Sequence, residues 1–327
     1  MVLNMGILDG HLTKVGLFAR EILDAVIATR TIEDISHSGL GIMRYQYNIL
    51  ARYIHHRISA RGPVLHGWIP HIRLTVQKLL SLKGQGSSVS REELEWEACA
   101  SKAAVEGAHA ILFMRTDERP ISKVENDTEE DCLALAAWIG DFDLVKSLHK
   151  GTNLETFFGT PSWAAARRGH VEIVRYCLEH RAELTPTDGL MTSIGAAASM
   201  GHEKVVQLYL DLPEFNVEGR PDVISAVHRA AKENQVTTYK MLLAHAKRVD
   251  THYNYVKALD HSFVYACKRG ALDTAKLALE YGANIEQTDA GPRNCLQNAA
   301  ISGNVELVKM LLEGGASVFP AEEINYR

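Results

Sequence analysis

The sequence predicts an all-α chain: a solenoid of six to seven helix-turn-helix repeats behind an N-terminal helical cap domain. Three observations carry this. A glycine recurs at near-even spacing, at Gly107, Gly140, Gly169, Gly201, Gly270 and Gly303, with Asn234 filling the one gap, so that successive intervals are 33, 29, 32, 33, 36 and 33 residues. Each pivot follows a short Ala-rich run and precedes an apolar run at helical spacing. The first 85 or so residues hold amphipathic segments but no copy of this unit.

From the N-terminus, residues 13–29 place Val15, Phe18, Ile22 and Val26 on one helical face, and residues 41–59 do the same with Met43, Tyr47, Leu50, Ile54 and Ile58. A third helix is expected from Pro70 to Leu82, with Ile72, Val76, Leu79 and Leu80 inward. The stretch "KGQGSSVSREELEWEA" then reads as a Gly/Ser linker running into a capping box, in which Ser90 and Glu93 each satisfy an orphan N–H. The expected division is a cap domain over 1–86, a linker with a degenerate first repeat over 87–121, repeats over 122–318 and a tail over 319–327. A stacked array needs such a cap, because a terminal repeat otherwise exposes its stacking face.

The unit is clearest in "TPSWAAARRGHVEIVRYCLEHRAEL", Thr160 to Leu184. Thr160 caps a helix and Pro161 sits in its first turn, where the missing N–H costs nothing. Ala164, Ala165 and Ala166 give a helix slim enough to lie close to a neighbour, and Gly169 supplies the positive φ that stops it. Val171, Ile173, Val174, Cys177 and Leu178 make a second helix. Such a hairpin has one apolar side and no partner for it, so it needs neighbouring copies.

Those copies include "LALAAWIGDFDLVKSLHKGTNL", "TSIGAAASMGHEKVVQLYL", "SAVHRAAKENQVTTYKMLL", "HSFVYACKRGALDTAKLALEYGANI" and "NCLQNAAISGNVELVKMLLEGGASV", with a weaker one, "ACASKAAVEGAHAILFM", on Gly107. Over about residues 95–318 the sequence resembles the ankyrin-repeat family, whose units open on T-P-L-H-x-A at a period of about 33 residues. Ser225, Ala226, Val227 and His228 stand for T-P-L-H. Elsewhere the motif histidine is Trp163, Gly195, Val264 or Gln297. The resemblance implies that this histidine hydrogen-bonds between repeats, so its loss bears on stability rather than topology. Trp163 is expected to pack between repeats.

Composition narrows the function. A net charge of −5 argues against a protein whose main task is neutralising phosphates, so no nucleic-acid partner is expected. No run of 18 apolar residues exists, and the start lacks a basic segment followed by an apolar one, so neither a membrane span nor a signal peptide is expected. Five widely spaced cysteines without a CxxC fit reduced structural thiols of the cytoplasm or nucleus. No cofactor or metal is expected. There is no HExxH, P-loop or G-x-S-x-G.

By resemblance to the family, the two positions before each pivot face a concave groove. They include Trp138 and Ile139, Arg167 and Arg168, Ser199 and Met200, Lys232 and Glu233, and Lys268 and Arg269, while the fingers between repeats add Phe157, Phe158 and Arg293. The expectation is a protein-interaction scaffold or adaptor whose groove takes an acidic partner with an apolar anchor, the anchor meeting Trp138, Phe157 and Phe158. The alternative is an enzyme or small-molecule binder with a pocket between the cap and the first repeats, lined by His55, His56, His66 and Glu106.

Overall fold

The computed structural model describes residues 68–83, 93, 95–104, 128–150, 158–180, 193–249, 251–288 and 293–318, with residues 68–70 and 128 described by backbone alone. The chain divides into two compact units, Met1–Ala164 and Ala165–Arg327. Among the described residues there is no strand, only an isolated antiparallel bridge between Thr288 and Asn294.

In the first unit, helix α1 (Trp68–Leu82) packs on α2 (Thr128–Ile139), which turns at Gly140 into α3 (Phe142–Leu148). The predicted inward residues Ile72, Val76, Leu79 and Leu80 are all buried. A short helical run over 95–104 buries Trp96, Ala100, Ala103 and Ala104. Two polar contacts tie α1 to α2: a buried His71–Asp131 pair at 2.7 Å and a Cys132 Sγ contact to the Thr75 carbonyl at 3.8 Å. The two N-terminal helices predicted over 13–29 and 41–59, the Ser90 end of the capping box and the Gly107 pivot lie outside the described residues.

Helix α4 (Pro161–Arg168) crosses the boundary between the units. The second unit continues through α5 (Val171–Glu179), α6 (Ser193–Met200), α7 (Glu203–Leu210), α8 (Pro221–Lys232), α9 (Val236–Val249), α10 (His252–Arg269), α11 (Leu272–Glu280), α12 (Cys295–Ser302) and α13 (Val305–Glu313). First helices stack on first helices, α6 on α8, α8 on α10 and α10 on α12. Second helices form a parallel row, with α5 on α7, α7 on α9, α9 on α11 and α11 on α13. The close inner stacking follows from the alanines: Ala165, Ala166, Ala196, Ala197, Ala198, Ala226, Ala230, Ala231, Ala266 and Ala299 are all buried.

The pivots behave as the spacing requires. Gly140, Gly169, Gly201, Gly270 and Gly303 have φ of 94°, 77°, 74°, 66° and 77°, and Asn234, at 56°, is the sole non-glycine with positive φ among the described residues. The fingers differ from expectation between the Asn234 and Gly270 units. There, α9 of 14 residues and α10 of 18 residues absorb the longer interval as helix, with Thr251 capping α10 through its hydroxyl. Between α7 and α8, a 3-10 turn (Pro213–Phe215) plugs the gap, its buried Phe215 ring edge-on to Tyr209 at 5.5 Å. The bridge before α12 is the one trace of an extended finger among the described residues.

Candidate functional site

Each first helix of the second unit ends one or two residues before its pivot, so the two side chains before the pivot stand at the end of the helix. In the second unit these pairs are Arg167 and Arg168, Ser199 and Met200, Lys232 and Glu233, Lys268 and Arg269, and Ile301 and Ser302. Arg168, Lys232, Lys268, Arg269 and Ile301 are exposed, while Arg167, Met200 and Glu233 are half-buried and Ser199 is buried. Arg293 is exposed one residue before the Asn294 cap of α12. Basic side chains at these helix ends also meet the negative end of the helix dipole, which holds them there at little cost.

At three junctions of the row a repeat caps the one before it. The residue after the pivot reaches back: His202 Nε2 lies 3.2 Å from the Arg167 carbonyl, and Asn304 Nδ2 donates to the Gly270 carbonyl at 2.7 Å. Where that residue is Ala271 and has no polar reach, Thr274 Oγ1 donates to the Ala231 carbonyl at 2.8 Å, and the Asn234 carboxamide accepts from the Thr274 amide at 3.1 Å. These bonds satisfy carbonyls that a helix C-terminus leaves open. The polar residues after the pivots were visible in the sequence, but their role was not, because it depends on the neighbouring repeat.

The centre of the row is α8. Its His228, the one retained motif histidine, is half-buried, with its ring 6.0 Å from His261 and 5.1 Å from Tyr265. Burial, followed by the neighbouring His261, pulls its pKa down to about 4, against the opposing effect of a hydrogen bond to the Ala258 carbonyl of the next repeat. Arg229 follows, lowered to about 10 by burial and then by the charge of Arg167, with Glu233 and Tyr265 acting the other way. Lys268 stands over the Tyr265 ring at 6.0 Å.

Several expected site residues are corrected. Trp138 is 1% exposed, its ring 5.8 Å from Trp163, which is itself buried as expected. Phe158 is fully buried, its ring 6.3 Å from that of His71. Both are core of the first unit, so neither offers a surface to a partner's apolar anchor; an aromatic at these positions faced packing rather than solvent. Ile139 is half-buried. Phe157 and the proposed pocket residues His55, His56, His66 and Glu106 lie outside the described residues. Among the described residues, no cluster of histidine, cysteine and carboxylate side chains could hold a metal ion. Cys132 and Cys177 are buried, and burial pushes both thiols up to about 12, which makes them poor nucleophiles.

A profile of ankyrin repeats matches residues 133–220 and 227–321, more than half of the chain. The protein therefore belongs to the ankyrin-repeat family, and its all-α fold is of that type. It is similar to the ankyrin repeat and KH domain-containing protein mask-1 of Caenorhabditis elegans, 28% identical over 223 residues covering 66% of this chain and 8% of that protein. It is also similar to the probable E3 ubiquitin-protein ligase XBOS32 of Oryza sativa subsp. japonica, 32% identical over 51% of this chain and 33% of that one. A third relative is the ankyrin repeat domain-containing protein SAT10 of Stachybotrys chartarum, 26% identical over 57% of this chain and 10% of that one. The chain thus spans a third or less of the length of these relatives. Among solved structures, the human ASB11 ankyrin repeat domain aligns with a TM-score of 0.46 at 26% identity, over 57% of this chain and 84% of that one. No described helix is long and apolar enough to cross a membrane.

Proposed function

We propose that this protein is an interaction scaffold that binds an acidic segment of a partner protein along the inner ends of its first helices. Ankyrin repeats generally mediate protein–protein interaction, and the fold by itself names no partner. The observation that carries the reading is the recurrence of exposed basic side chains at the two positions before the pivot in three of the repeats, Arg168, Lys232, and Lys268 with Arg269, joined by Arg293 at the finger before α12. Repetition at the repeat spacing puts positive charge along a line that an extended acidic segment follows. Charge complementarity of this kind raises the rate of encounter and rejects basic partners. The apolar component falls to half-buried Met200 and to Ile301, 67% exposed, in place of the buried Trp138 and Phe158.

The test is affinity capture from native cell extract, read by mass spectrometry, with wild-type protein beside Arg168→Glu, Lys268→Glu and Arg269→Glu combined. These are exposed positions, where substitutions change stability by about 0.5 kcal/mol or less each. Partners lost only with the triple variant support the reading. An unchanged partner profile from a variant that melts normally removes it.

A further inference from the structure

The Gly303 repeat carries open a surface that the earlier repeats of the second unit have covered. Three residues before the pivot, Ala166, Ala198, Ala231 and Cys267 are fully buried beneath the following repeat, whereas Ala300 is exposed. Five residues after it, Val174, Val206, Tyr239 and Ala275 are fully buried too, and Val308 is half-buried. Nine residues after it every one of these repeats has a leucine. Leu210 and Leu243 are 5% and 0% exposed and Leu178 and Leu279 are half-buried, against 48% exposure for Leu312. Fifteen residues after Gly270, Ile285 lies against Gly314, where an added Cβ would come 2.9 Å from its Cδ1. The matching residue of the Gly303 repeat is Val318, which is exposed. Ala300, Val308, Leu312 and Val318 therefore continue the surface through which α10 and α11 hold α12 and α13, and it is left open among the described residues.

A second copy of the chain has one way to cover this face. In the first unit α1 packs on α2 and every residue from Cys132 to Trp138 is buried, so head-to-tail stacking finds no receiving face there among the described residues. What remains is for the Gly303 repeat to meet itself about a two-fold axis, the closed arrangement that most homo-oligomers adopt. With that axis along the helices, α12 of one copy lies over α13 of the other. The slim helix then meets the bulkier one, Ala300 opposite Val308. Charge agrees with this pairing: the start of α12 and the end of α13 share the end of the hairpin away from the pivot, so exposed Arg293 stands opposite exposed Glu313 of the other copy, twice in the dimer.

We propose that the open face of the Gly303 repeat pairs with the same face of a second copy, giving a two-fold dimer. This does not rest on the reading of the basic row. Helix α13 has 9 residues, about 13 Å of length, and two helices side by side are about 20 Å across, so the face is smaller than the roughly 800 Å² per partner of a standard interface. The dimer is accordingly weak, with a dissociation constant of about 1–100 μM.

The test is sedimentation equilibrium of the full chain over concentrations spanning that range, with thermal melting of each variant alongside. Wild type is expected to pass from monomer to dimer. Leu312→Lys combined with Val318→Lys is expected to weaken dimerisation at least about tenfold at an unchanged melting temperature, because it puts unpaired ammonium groups into the interface. Tyr253→Ser, at an exposed site on α10, is the control and is expected to leave dimerisation as it is. Arg293→Glu is expected to weaken it about fivefold, and adding Glu313→Arg to restore it. A dimer that survives the double lysine variant overturns the proposal, as does one that Arg293→Glu leaves intact or that Glu313→Arg does not restore. A wild type that stays monomeric overturns it as well. If the lysine variant of that monomer melts lower, the occupant is the chain's own residues 319–327, and if it melts as wild type, the face belongs to a different protein.

Discussion

Acidification tests how well His228 is sealed between repeats. Its pKa in the folded protein is about 4, whereas an unfolded chain restores the ordinary 6.5. The fold thus favours the neutral ring, and as pH falls below about 6.5 the unfolded chain takes up a proton that the folded one refuses. Stability from this group is complete above pH 6.5, declines between 6.5 and about 4, and is level below. Relative to pH 8, the loss at pH 5 is about 2 kcal/mol. The assay is urea unfolding at pH 8 and pH 5 for wild type and His228→Gln, a polar side chain of similar size that does not titrate. The expected result is a stability gap between the two that shrinks by about 2 kcal/mol on acidification. Other groups titrate in both proteins and cancel in the difference, including His202, which burial also lowers. Parallel pH dependence of the two proteins would refute the reasoning and show that water or rearrangement of His261, Arg229 and Tyr265 lets His228 charge in place.

Two further outcomes follow from packing. Gly270→Ala meets a backbone at φ 66° and places a Cβ 2.9 Å from Ser302 Oγ, so thermal or urea unfolding is expected to show a loss of about 1–3 kcal/mol. Trp138→Ala empties a site that is 1% exposed, and a loss of about 3–5 kcal/mol is expected in the same measurement. A loss under about 1 kcal/mol would return Trp138 to the surface and to partner binding.

The repeat register was legible in the sequence because backbone conformation at the pivot leaves little choice. A helix that must stop and reverse within a residue needs positive φ, and glycine or asparagine is what the chain supplies at Gly169, Gly201, Asn234, Gly270 and Gly303. The slim inner helices were legible for a similar reason, since only alanine lets successive helices stack so closely. The lengths of the fingers were not. The 36-residue interval from Asn234 to Gly270 fits either a longer loop or longer helices, and the cap at Thr251 resolves it as helix.

Side-chain roles divide the same way. The sequence alone determined which residues end each inner helix, and so the basic line through Arg168, Lys268 and Arg269, because position within a helix follows from local spacing. It did not determine that Trp138 and Phe158 are core, that His202 and Thr274 close the preceding repeat, or that Arg167 reaches Ser199. Those outcomes depend on groups far away in the chain, such as Trp163 against Trp138, His202 against Arg167 and His71 against Phe158. Local conformation is set by a residue and its immediate neighbours, whereas burial and charge proximity are set by whatever the fold brings beside it.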